Sequence, residues 1–209
     1  LLPKLAECTS LPMIVNPNAG LPRRENGQTV FDVHPDEFAQ LMEEIVKGGA
    51  WIIGGCCGTT PEHLRKTVER CRELPLIPLT EKKRTVISSY AQAVVFGKKP
   101  VIIGERINPT GKKRFKQALR EHDMEYILRE GVTQQQSGAH VLDVNVGLPE
   151  IDEKALMCEA VSQLQGVSDL PLQVDTSSPE VMEAALRIYN GKALINSVNG
   201  KKESMEAIF

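Results

Sequence analysis

Short, nearly apolar runs rich in Val and Ile alternate with longer amphipathic stretches along this chain, and that rhythm restricts its fold more than any other feature. The runs are LPMIVN (Leu11–Asn16), Ala50–Gly54, PVIIGE (Pro100–Glu105), HVLDVN (His140–Asn145), PLQVD (Pro171–Asp175) and KALINS (Lys192–Ser197). They are short and apolar throughout, as parallel strands covered on both faces are. Between them lie helical patterns at Asp36–Gly48, Pro61–Glu73, Arg114–Ser137, Asp152–Gln165 and Pro179–Tyr189. Start and stop signals agree with these spans. Pro35-Asp36 opens the first helix, Gly48-Gly49 closes it, and Ser178-Pro179-Glu180 opens the last. Strand followed by helix, repeated, implies right-handed βαβ units and therefore an α/β fold with a parallel sheet or barrel.

The rhythm breaks between Pro75 and Lys99, where prolines, the charge run Glu81-Lys82-Lys83-Arg84 and the polar pair Ser88-Ser89 intervene. This stretch reads as a linker. It divides the chain into residues 1–75, a connection over 76–99 and a second part over 100–209.

Composition excludes several function classes. A net charge of −2 over 209 residues lacks the basic footprint of a nucleic-acid binder. No window of about 18 apolar residues suggests a membrane span, and LLPKLAECTS is too polar for a signal peptide. The five cysteines (Cys8, Cys56, Cys57, Cys71, Cys158) are too sparse for a secreted disulfide framework, so a cytoplasmic location is expected.

Every strand-like run finishes on a group able to do chemistry. The ends carry Asn16 and Asn18; Cys56 and Cys57; Glu105 and Asn108; Asp143 and Asn145; Asp175; and Asn196. In βα barrels the carboxyl ends of the strands form the active face. A single polar strand end means little, because Asp, Asn and Gly are ordinary turn residues. Repetition at the same end of every run marks a binding face.

The vicinal pair in GGCCGTTPEH (Gly54–His63) admits three readings: a disulfide, buried structural cysteines, or part of a metal or nucleophile site. Side chains of adjacent strand residues point to opposite faces, so a shared ligand requires the backbone to leave strand geometry. Gly54, Gly55 and Gly58 permit that. Thr60 is placed to cap a helix with Pro61 at its first position, and a helix N-terminus favours thiolate over thiol. A catalytic zinc wants about three protein ligands. Cys8, Cys71 and His63 are the other candidates, although Cys71 lies on an apolar helix face and His63 suits a cap.

GGCCGTTPEHL resembles the last strand of the homocysteine-binding barrel in the cobalamin-dependent methionine synthase family, and VNPNAGLP (Val15–Pro22) resembles the strand before it. VIIGERINPTGKK (Val101–Lys113), HVLDVNVG (His140–Gly147), LQVDTS (Leu172–Ser177) and ALINSVNG (Ala193–Gly200) resemble the first four strand ends of its pterin-binding barrel. The resemblance implies two (β/α)8 TIM-type barrels, each only partly present: the end of one over 1–75 and the front half of the other over 100–209.

It also implies roles. Cys56 and Cys57 match two of three cysteine ligands of a zinc that holds homocysteine as thiolate, with the third expected upstream of Leu1. Asn18 is expected to bind substrate beside them. Asp175 and Asn196, followed by Glu105, Asn108, Asp143 and Asn145, match the groups that recognise 5-methyltetrahydrofolate. Lys112, Lys113 and Arg114 could meet a folate glutamate tail, and Met124, Met157 and Met182 read as packing. The implied cofactors are zinc and a methylcobalamin held by another module, which would be the chain's partner. A complete barrel takes roughly 250 residues, so open barrel parts covered by other chain or by self-association are expected. Related corrinoid methyltransferases and dihydropteroate synthases share the pterin pattern but lack a thiol module. A noncatalytic scaffold with a structural cysteine pair is the remaining alternative.

Overall fold

The structure, a computed structural model, describes residues 1–209 and divides into two compact units, Leu1–Lys83 and Arg84–Phe209.

The first unit begins with helix α1 (Leu2–Cys8), then strand β1 (Met13–Val15) and a hairpin of β2 (Arg23–Glu25) and β3 (Gln28–Val30). Asn26 and Gly27, both at positive φ, make the turn that a two-residue hairpin of right-handed twist requires. Helix α2 (Pro35–Lys47), strand β4 (Ala50–Ile53) and helix α3 (Pro61–Cys71) complete the unit. β1 and β4 pair in parallel, Val15 opposite Ile53. Phe38, Met42 and Val46 repeat at helical spacing on α2, so one face of the helix is apolar. That face buries against Ala19 and Cys71, with Phe31, Val33, Ile53 and Leu74 at its edge.

The second unit opens with an antiparallel hairpin of β5 (Val86–Ser88) and β6 (Ala93–Val95). The stretch expected as a linker thus holds a folded hairpin. The hairpin is tied in by the Ser88–Lys192 bridge and by Tyr189, whose hydroxyl donates to the Ser88 carbonyl at 2.9 Å. Then follow β7 (Ile103–Ile107), α4 (Lys113–Arg120), α5 (Met124–Gln136), β8 (Val141–Val144), α6 (Glu153–Val167), β9 (Leu172–Asp175), α7 (Pro179–Ile188), β10 (Leu194–Asn196) and α8 (Lys202–Ile208). The four strands form one sheet in the order β10-β9-β8-β7 with parallel pairing throughout. Sequence neighbours are spatial neighbours, so each helix crosses from one strand to the next in a single direction of winding.

The helix expected over Arg114–Ser137 is two helices. His122 takes a left-handed backbone (φ 54°), which ends α4, and the Asp123 carboxylate accepts from the Tyr126 N–H at 3.1 Å to start α5. The same device starts α6 and α7. Asp152 accepts from Ala155 N–H and Ser178 from Val181 N–H. The core of this unit is formed by Leu142, Val144, Leu172 and Val174 of the sheet against Ile127, Met157, Leu164 and Met182 of the helices. Met157 and Met182 pack there as expected, and Met124 lies at the rim of the same core.

Candidate functional site

In the first unit, the ends of β1 and β4 bring Asn18 to the cysteine pair. Cys56 N–H donates to the Pro17 carbonyl at 3.0 Å, and the Cys57 carbonyl accepts from Ala19 N–H at 2.9 Å. The Asn18 side-chain oxygen accepts from Cys57 N–H at 3.1 Å. Thr59 closes the turn with its hydroxyl on the Cys56 carbonyl at 2.6 Å. Gly58 sits at φ +80°, and a Cβ there would lie 2.2 Å from the Phe31 ring, so only glycine fits.

These bonds turn both cysteines to the same side. Cys56 Sγ and Cys57 Sγ are 3.9 Å apart, and both residues are exposed. A disulfide at about 2.05 Å is absent, and all five cysteines are free thiols. Two sulfurs on one tetrahedral zinc, each at about 2.3 Å, lie about 3.8 Å apart, so the pair fits two corners of such a site. No group of three His, Cys, Asp or Glu side chains in the structure is arranged to hold a metal ion.

The other candidate ligands have different roles. Cys71 is buried in the α2–α3 core. His63 is buried, where a surface position would also have suited its sequence context. Its Nδ1 accepts from Thr60 N–H at 3.2 Å, which leaves Nε2–H to donate to the Val33 carbonyl at 3.0 Å. Its ring meets Phe38 edge-on at 5.3 Å. Nδ1 thus caps α3, while Nε2 anchors the segment that leads into α2.

The expected thiolate bias at the helix N-terminus is corrected for Cys57. The hydrogen bond with Cys56 raises its pKa, followed by the charge of Cys56 and by burial, while its own backbone N–H works the other way. The sulfur neighbour outweighs a helix that begins only at Pro61.

In the second unit, strand parity builds the site. Asp143 and Asn145 on and just beyond β8, and Gln173 and Asp175 on β9, alternate with the apolar residues that face the helices. The polar members therefore share the opposite face. Asp143 stands opposite Gln173 in register, and Asn196 stands opposite Asp175.

Their contacts form a connected set. Asn145 Nδ2 donates to Asp175 Oδ2 at 3.0 Å, while its oxygen accepts from Gly147 N–H at 3.0 Å. The Gln173 side-chain amide donates to Asp143 Oδ1. Asp143 is 2% exposed, and its pKa is pushed up to about 6 by burial first. The Gln173 hydrogen bond opposes that rise, the charges of Asp175 and Glu105 add to it, and a hydrogen bond from Asn108 opposes it again. Asn108 is buried, and its side-chain oxygen accepts from Thr110 N–H at 2.8 Å. Glu105 is exposed and pairs with Lys112 at 3.1 Å. Asn196 is half-buried, and its carbonyl accepts from Thr176 N–H at 2.7 Å.

The structure thus groups Glu105, Asn108, Asp143, Asn145 and Asp175, with Asn196 on the adjoining strand. Gln173 escaped the sequence reading. Its signal was a polar residue inside an apolar run, two positions before Asp175 and hence on the same face. Of the basic residues expected near a folate tail, Lys112 is held by Glu105 and Arg114 by Asp123 at 2.9 Å. Lys113 is exposed.

The second unit is thus a run of parallel βα units whose strand ends carry carboxylate and amide groups. The model of the pterin binding enzyme family matches residues 104–208, just over half of the 209 residues, and the chain belongs to that family. The model of the homocysteine S-methyltransferase family matches residues 1–71. The chain is 35% identical over 204 residues to the methionine synthase of Mycobacterium leprae. It is 33% identical over 198 residues to that of Mycobacterium tuberculosis. Each alignment covers 93% of this chain and 17% of the relative, so the chain spans about a sixth of the length of these proteins. No helix is long and apolar enough to cross a membrane.

Proposed function

We propose that this chain carries two substrate modules of a methyltransferase that converts homocysteine to methionine, with 5-methyltetrahydrofolate as the methyl donor. The observation that carries this reading is the succession of two family matches, homocysteine S-methyltransferase over 1–71 and pterin binding enzyme over 104–208. Residues 1–75 and 100–209 are read as parts of two (β/α)8 barrels joined through 76–99. The sequential, all-parallel order β7 to β10 supports that reading for the second unit.

In the first unit, Cys56 and Cys57 would hold zinc, with Asn18 and Pro17 fixing the backbone that aims them. Zinc supplies, when bound, the Lewis acidity that keeps a substrate thiol ionised at neutral pH. The raised pKa of Cys57 fits a pair that needs a cation to ionise fully. Asn18 has its oxygen engaged, which leaves its amide N–H groups for the substrate carboxylate.

In the second unit, Asn145 ties down one oxygen of Asp175. The other oxygen can accept from the exocyclic amino group and ring N–H of a pterin, and the Asn196 carboxamide can both donate and accept beside it. Glu105 and Asp143 give this face its negative charge, and Asn108 hydrogen-bonds to Asp143. The methyl carrier between the two substrates would be a cobalamin held by another module.

Equilibrium titration of 5-methyltetrahydrofolate into the full-length protein tests the pterin half. Asp175→Ala should weaken binding about 10- to 100-fold, the loss of a hydrogen-bonded charge. Unchanged affinity would exclude Asp175 from the site.

A further inference from the structure

We propose that Cys56 and Cys57 form a chelating dithiol for trivalent organoarsenicals, compounds with one carbon substituent and two exchangeable positions on arsenic. The proposal stands on the geometry of the pair and does not rest on the zinc reading.

Two observations carry it. The two sulfurs are exposed and 3.9 Å apart, facing one side of the turn. The backbone that aims them is held from both directions, by Pro17 and Asn18 on one strand end and by Thr59 within the loop. A monosubstituted arsenic(III) is satisfied by such a pair, since two sulfurs and one carbon fill its three bonds.

The chemistry balances without an oxidant. Phenylarsine oxide reacts with the two thiols to form two As–S bonds. The As–O bonding is lost, and both thiol protons leave with the oxygen as one water. Arsenic remains trivalent and both sulfurs keep their oxidation state. Closing the second As–S bond is intramolecular, so the chelate outlasts a single thiol adduct by on the order of 100-fold or more. Cys8 is exposed but stands alone, Cys71 is buried and Cys158 is half-buried, so none offers a second sulfur.

The test incubates the full-length protein, stripped of metal by a chelator, with phenylarsine oxide and then washes it with excess monothiol. Intact-mass measurement should find one arsenical per chain after the wash, removed by a dithiol such as 2,3-dimercaptopropanol. Cys56→Ser and Cys57→Ser should each retain none, while Cys8→Ser retains one. Circular dichroism matching the parent would show that the serine variants fold. Retention by either folded Cys56 or Cys57 variant, or loss from the parent on the monothiol wash, overturns the proposal. Zinc content, measured before chelation, tests the metal reading separately.

Discussion

Asn145 donates from Nδ2 to Asp175 Oδ2 at 3.0 Å, a hydrogen bond that links the ends of two neighbouring parallel strands. Its other amide atom is fixed by Gly147 N–H, so Asn145 holds the Asp175 carboxylate in one orientation. Asn145→Ala should cost about 1 kcal/mol of stability, a modest figure because both side chains are only half-buried. Urea unfolding measures it. A loss of several kcal/mol would mean that Asn145 supports packing and not only this carboxylate.

The pH dependence of the second unit should carry the signature of Asp143. Its carboxyl is raised from 3.8 to about 6 in the folded chain, chiefly by burial. Folding therefore takes up a proton between those values. The stabilisation belongs to the protonated form, is full below pH 3.8 and is lost as pH rises through about 6. Asp143→Asn removes this dependence. The stability difference between parent and variant should change by about 2–3 kcal/mol from pH 3.5 to pH 7, at about 1.4 kcal/mol per pKa unit. A pH-independent difference would contradict the assignment.

Gln173 should tune that same titration. It donates to Asp143 and so favours the ionised form. Gln173→Leu should move the Asp143 midpoint upward, followed by carboxyl carbon NMR, whereas Gln173→Asn tests whether a shorter amide suffices. An unmoved midpoint would show that the hydrogen bond has no influence on the carboxylate.

His63 is a cap and not a ligand. His63→Ala removes two hydrogen bonds and an aromatic contact from a buried position, a loss of about 2–4 kcal/mol. Thermal unfolding should register that loss, while zinc bound per folded chain stays constant. Zinc lost in proportion to the substitution would make His63 a ligand.

Gly58 is fixed by its surroundings. Gly58→Ala places a Cβ against Phe31 at a left-handed backbone, which alone costs about 1–2 kcal/mol. The clash adds to it, and the first unit should unfold at visibly lower denaturant.

Much of this arrangement was legible because parallel strands buried on both faces write themselves as apolar runs with polar ends. Val141–Val144 followed by Asn145, and Leu172–Val174 followed by Asp175, could be read without coordinates. The break at His122 was not. It depends on a left-handed residue in a stretch whose apolar pattern continues on both sides. The hairpin Val86–Val95 was hidden for a different reason. Its partners, Lys192 and Tyr189, lie about a hundred residues away, and the prolines and charges that flank it, at Pro75, Pro78 and Glu81–Arg84, dominate the local composition. The pairing of Gln173 with Asp143 likewise needs the β8–β9 register, which no single segment contains. The cysteine pair was visible as a motif, yet the bonds from Asn18 and Pro17 that aim it come from a strand that precedes it by about forty residues.

The central claim is that two sites with separate substrates lie on this chain, and a crossed binding measurement tests it most directly. Titrations of 5-methyltetrahydrofolate and of homocysteine into the full-length protein would compare Asp175→Ala with Cys57→Ser. Asp175→Ala should lose folate affinity and keep homocysteine binding, while Cys57→Ser should do the reverse. Equal effects of both variants on both ligands, or no effect of either, would contradict it.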